Sequence, residues 1–119
     1  MIIIGEKING SIPSVGKAIE ARDEDRIRHL AKIQSEAGAN YLDVCASVQE
    51  DVEVDTLKWM LDLVQGESDV PICLDSPSQY TLAKALPCCK KPGLVNSVSL
   101  EGDKIDVIFL TKSIIGSFE

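Results

Sequence analysis

Apolar residues along this chain fall into short β-branched runs separated by longer stretches in which they recur every three or four positions. Ile2, Ile3 and Ile4 form the first run, with polar residues directly behind them, so residues 2–4 are expected as a buried strand opening into a loop, Gly5-Glu6-Lys7-Ile8-Asn9-Gly10. Val15, Ala18 and Ile19 share one helical face and predict a short helix over residues 13–22. A second helix follows over residues 23–38, with Ile27, Leu30, Ala31 and Ala37 apolar, Asp23 as N-cap and Gly38 just past the end. Residues 41–44 read as the second strand. Val54, Leu57, Met60, Leu61 and Val64 then mark an amphipathic helix that carries the single Trp59 and ends around Gly66-Glu67-Ser68. Residues 70–75 form the third strand, residues 78–86 a helix stopped by Pro87, and residues 93–97 the fourth strand. Strict alternation of short strands with helices predicts an α/β fold with a parallel sheet.

Length limits that fold. A complete eight-stranded α/β barrel needs about 250 residues, whereas this chain has 119. Its core draws on aliphatic residues, since 45% of positions are hydrophobic but only 4% aromatic. The charge balance, 19 acidic residues against 12 basic for a net −7, leaves no Lys/Arg cluster able to neutralise a run of phosphates, so nucleic acid is a poor partner. The apolar runs are too short to cross a membrane, and no leader signature precedes them, so a cytoplasmic location is expected. Cys45, Cys73, Cys88 and Cys89 have no C-x-x-C spacing, and the single His29 completes no familiar zinc pattern. The thiols are read as reduced and structural, with no metal site.

Each strand ends in polar residues suited to reading a ligand: Glu6 and Asn9, then Asp43, then Asp75-Ser76, then Asn96-Ser97. In parallel α/β folds the C-terminal strand ends face a common crevice, so these side chains are expected to converge. A single Asp or Ser at such a position more often caps the next helix or begins a loop. Four strands in succession weigh against that explanation. Carboxylates and amides without a Ser-His or Cys-His pair suit recognition of a planar, hydrogen-bond-rich ring better than nucleophilic catalysis.

At these residues the sequence resembles the methyltetrahydrofolate:corrinoid methyltransferases, part of a wider pterin-binding superfamily that includes dihydropteroate synthase. The resemblance rests on three motifs: residues 3–10 at the first strand, Gly38-Ala39-Asn40-Tyr41-Leu42-Asp43-Val44 at the second, and Ile72-Cys73-Leu74-Asp75-Ser76 with Leu94-Val95-Asn96-Ser97 at the third and fourth. It covers about the first hundred residues and implies a TIM-type (β/α)8 barrel, here an incomplete barrel of about four units over residues 1–106, followed by a divergent segment over residues 107–119. It further implies that Asp75 and Asn96 read the pterin, with Asp43, Asn9, Glu6 and Ser97 near the pocket. Cys45 departs from the Asn often found after the second-strand Asp.

The implied reaction is methyl transfer between N5 of methyltetrahydrofolate and the cobalt of a corrinoid (cobalamin) carried on a partner protein, in either direction. The family's further pterin-binding Asp and the mobile Asn that contacts N5 are expected beyond this chain. One alternative is a truncated, non-catalytic fragment that binds pterin or oligomerises. A second is a dihydropteroate synthase-like enzyme, against which the Gly5-Glu6-Lys7-Ile8-Asn9-Gly10 motif argues. A half-barrel is also expected to form a homo-oligomer, because its edge strands and its inner face, to which Ile3, Leu42, Ile72 or their neighbours point, would need a cover.

Overall fold

The computed structural model describes residues 1–96. Ser97 and the expected segment 107–119 lie outside the described residues. Four strands, β1 (Ile4–Asn9), β2 (Tyr41–Cys45), β3 (Ile72–Asp75) and β4 (Leu94–Asn96), form one sheet in the order β1-β2-β3-β4, with every neighbouring pair parallel. The connections are helical: α1 (Pro13–Glu20) and α2 (Glu24–Glu36) join β1 to β2, α3 (Glu50–Glu67) joins β2 to β3, and α4 (Gln79–Ala85) joins β3 to β4. Sequential parallel pairing with a helical return after each strand is the repeating unit of an α/β barrel, and the described residues make an incomplete one.

Local signals account for the helix ends. The Asp23 carboxylate accepts the backbone N–H of Arg26 at 3.2 Å, Glu24 and Asp25 complement the dipole of the first turn, and Gly38 follows the last one. Ser78 caps α4 in the same way, accepting from the Thr81 N–H at 3.2 Å. Pro87 does not end that segment outright, because a 3-10 turn over Leu86–Cys88 tolerates it in its first positions.

The helices cover one face of the sheet. Ile8, Leu42, Val44, Ile72 and Leu74 point into a core shared with Ile27, Leu30 and Ala31 of α2, Leu57, Met60, Leu61 and Val64 of α3, and Leu82 and Ala85 of α4. Burial of each large aliphatic side chain stabilises by about 1.5–3 kcal/mol, so this layer holds the sheet to its helices. The opposite, inner face carries the alternate positions: Asp43 opposite Cys73 and Leu94, then Asn9, Cys45, Asp75 and Asn96 in the next row. The residues that point inward are therefore the neighbours of Leu42 and Ile72, not those two.

The first strand departs from expectation. It begins at Ile4 and runs through Asn9, so the segment expected as a loop is the strand itself, while Ile2 and Ile3 precede it at 64% and 48% exposure. The physical reason is a bulge. Gly5 pairs with Leu42 and Ile8 with Val44, so β1 spends one residue more than β2 over that interval. The extra backbone N–H, that of Lys7, donates to Gln34 Oε1 at 3.1 Å, and Gly5 lets this α2 side chain lie directly against the strand. A polar strand is stable here because only Ile8 must enter the core.

Candidate functional site

Glu6, Asp43 and Asp75 come from three adjacent strands and meet on the inner face. β2 and β3 place Asp43 one step below Asp75 on the same face, and β4 sets Asn96 directly beside Asp75. The Asn96 amide Nδ2 donates to Asp75 Oδ2 at 3.3 Å. Asp43 is 3% exposed and hydrogen-bonded to Asp75. Two carboxylates can share a hydrogen bond only when one keeps its proton. Burial first, and then the bond to and charge of Asp75, push Asp43 up from 3.8 to about 7. Burial also raises Asp75, opposed by its bonds to Asp43 and Asn96. The arrangement is a pair of neighbouring carboxyl groups in which burial favours a retained proton on Asp43, with Asn96 donating to Asp75 from the other side.

Among the described residues no cation is paired with this group. Among the described residues the ion pairs are those of Arg28 with Glu24 and Asp25, on the outer surface of α2. The described residues likewise contain no cluster of three or more His, Cys, Asp or Glu able to hold a metal ion. Cys45 and Cys73 flank the carboxylates. Burial and the neighbouring negative charge push the Cys45 thiol up to about 12 and the Cys73 thiol upward as well, so both remain neutral and unreactive, in keeping with structural cysteines. A face rich in acceptors, with one amide that both donates and accepts, complements a ring bearing several N–H donors.

The other expected residues are distributed unequally. Glu6 lies on the inner face near enough to act on the charge state of both Asp43 and Asp75. Asn9 ends β1, and its Oδ1 accepts the Ser11 N–H at 2.9 Å, so half of its amide is spent on turning the chain. Ser76 is fully buried and faces away from the crevice. Its hydroxyl donates to Glu53 Oε2 at 2.8 Å, while its N–H donates to the Asn96 carbonyl at 3.3 Å.

Glu53 was not anticipated from the sequence. It is 3% exposed on α3, and its second oxygen accepts the Thr81 hydroxyl at 2.8 Å, tying α3 to α4 and to the turn after Asp75. A signal was present, since Glu53 falls four, seven and eight positions before Leu57, Met60 and Leu61, on the apolar stripe where a charge is out of place. Gln34 was missed for the same reason: it is a polar residue on the inward face of α2 that serves the β1 bulge.

Methylcorrinoid:tetrahydrofolate methyltransferase of Eubacterium limosum is 57% identical over 108 residues, which are 91% of this chain and 40% of that protein. The chain thus spans about 40% of that relative's length. The family model of the pterin-binding enzymes matches residues 6–113, a stretch that takes in every strand end described above. With that match extending over most of its length, and with the strand-end acids and amide gathered on one face of a parallel sheet, the chain belongs to the pterin-binding enzyme family.

Proposed function

We propose that this chain supplies part of the pterin pocket of a cytoplasmic enzyme that transfers a methyl group between the cobalt of a corrinoid, carried on a partner protein, and N5 of tetrahydrofolate. The observation that carries the reading is the pairing of Asp75 with Asn96 across β3 and β4, at the strand ends where parallel barrels bind their ligands. In this reading the Asp75 carboxylate accepts from ring N–H groups. Asn96, whose Nδ2 is turned to Asp75, offers its Oδ1 to a further ring donor. Glu6, Asn9 and Ser97 contribute to the rim, and Asp43 lies beneath Asp75.

The protein's own part in such a reaction is orientation and electrostatics. A tertiary amine is a poor nucleofuge, and in the reverse direction a ring nitrogen must be aimed at the methyl group, so fixing the ring lowers the barrier by pre-arranging the reacting atoms. Corrinoid and folate are both substrates here, and no group in the described residues forms a covalent intermediate.

Titration calorimetry with tetrahydrofolate tests the reading. Asp75→Ala and Asn96→Ala are each expected to weaken binding by about 1–3 kcal/mol, because the ring loses a directed partner in a partly desolvated site. Unchanged affinity in both variants places the ligand elsewhere. Folate binding without turnover, in the presence of a methylated corrinoid protein, would make the chain a binding fragment only.

A further inference from the structure

We propose that Asp43 is a positioning residue, which does not touch the ligand but donates its carboxyl proton to Asp75 and so fixes the orientation of the Asp75 carboxylate for the pterin ring. The inference rests on the pterin reading above and assigns a distinct role to a residue one row deeper in the sheet.

Asp43 lies opposite Cys73 in the β2–β3 register, whereas Asp75 lies opposite Cys45 at the strand ends. A ligand in the crevice therefore meets Asp75 first, and Asp43 is 3% exposed beneath it. The Asp43 carboxyl has its hydrogen-bond partners, Asp75 and Cys73, within the protein. Asp75 in turn accepts from Asp43 and from Asn96 Nδ2, two donors from flanking strands that hold its plane and leave its remaining lone pairs for the crevice.

The titratable groups facing Asp43 are Glu6 from β1, Cys45 from β2 and Cys73 and Asp75 from β3. Burial and the neighbouring acids keep the two thiols neutral. With no cation among them, loss of the Asp43 proton would set two adjacent carboxylates against each other with a third nearby, and Asp75 would turn away. Neutral donation from Asp43 is thus a condition for a fixed Asp75.

The test uses Asp43→Asn and Asp43→Leu in the full chain, with tetrahydrofolate as the probe. The amide of Asp43→Asn is neutral, can donate to Asp75 and can accept from Cys73, whereas Asp43→Leu only fills space. Affinity is expected within about twofold of wild type at pH 6.5 for Asp43→Asn and about tenfold weaker for Asp43→Leu. From about pH 6.5 to 8.5 the wild type should lose affinity roughly threefold or more, while Asp43→Asn shows only the ligand's own dependence. Carboxyl 13C titration of the unliganded chain supplies an independent readout: the Asp43 resonance, titrating near neutrality, should vanish in Asp43→Asn.

Wild-type binding with equal affinity in Asp43→Leu would overturn the positioning role and leave the pterin reading intact. Binding lost equally in Asp43→Asn and Asp43→Leu, in folded variants, would also overturn it, since the acid itself would then be required. Absence of tetrahydrofolate binding by the wild type would remove the pterin reading, and the positioning role with it, even if the shared proton were seen.

Discussion

Glu53 gives the sharpest test of how the site is held, because a single buried carboxylate accepts two buried hydroxyls. Ser76 Oγ and Thr81 Oγ1 each lie 2.8 Å from a different Glu53 oxygen, and both residues are fully buried. Hydrogen bonds to a charged acceptor contribute about 1.5–3 kcal/mol each. Glu53→Ala removes both and leaves two hydroxyls without an acceptor, but it also relieves the cost of keeping a carboxylate from water, so the net destabilisation is expected at about 2–4 kcal/mol. Thr81→Val removes one bond at constant shape and is expected to cost about 1.5–2.5 kcal/mol. Glu53→Gln keeps one acceptor and offers a donor to the other hydroxyl, which can rotate to accept, so about 1 kcal/mol is expected.

Urea unfolding at pH 7 reads this series. With a slope of about 1–2 kcal/mol per molar, Glu53→Ala should lower the midpoint by roughly 1–4 M. The order Glu53→Ala, then Thr81→Val, then Glu53→Gln is the diagnostic feature. A Glu53→Ala midpoint within about 0.3 M of wild type would mean that desolvation cancels the two bonds, and the view of Glu53 as the clamp behind Asp75 would be wrong.

Three further outcomes follow from the same geometry. Gly10→Ala should destabilise by about 2–3 kcal/mol and separate the β1 and β2 ends, because its Cβ would lie 2.0 Å from the Ala46 carbonyl oxygen; calorimetric unfolding checks it, and a neutral effect would place the Asn9 turn elsewhere. Asp43 titrates at 3.8 when unfolded and at about 7 when folded, so between those values the native state holds a proton that the unfolded chain has lost. The stability contributed by Asp43 is then fully present below about pH 4 and is lost, on the order of 4 kcal/mol, as pH rises through about 7, with the raised Asp75 acting in the same direction; Asp43→Asn should flatten that slope in denaturant titrations, and an unchanged slope would refute the assignment. Sedimentation at micromolar concentration should show self-association, driven by the outer edge of β1, where Ile4 is 39% exposed behind Ile3 and Ile2; a compact monomer without dye-binding apolar surface would contradict this.

The sequence by itself determined the alternation of strands and helices, because a 3.6-residue apolar period and short β-branched runs are local signals that tertiary packing had no reason to override here. It also determined the helix cap at Asp23, and it marked Asp75 and Asn96 through motif and strand-end position. Tertiary structure decided the rest. Whether the polar stretch after Ile4 is loop or strand depended on Gln34, distant in sequence, supplying an acceptor for the bulged Lys7 N–H, and no local pattern encodes that partner. Ser76 and Asp75 are equivalent as adjacent polar residues, and only the two-residue period of the strand, set by its register against β2, turns one toward Glu53 and the other toward the crevice. The raised titration of Asp43 is not a property of that residue alone, since it arises from burial and from two carboxyl groups brought side by side across 32 positions of chain. Local propensity fixes the elements, while charge state and hydrogen-bond partners are properties of neighbours that only folding brings together.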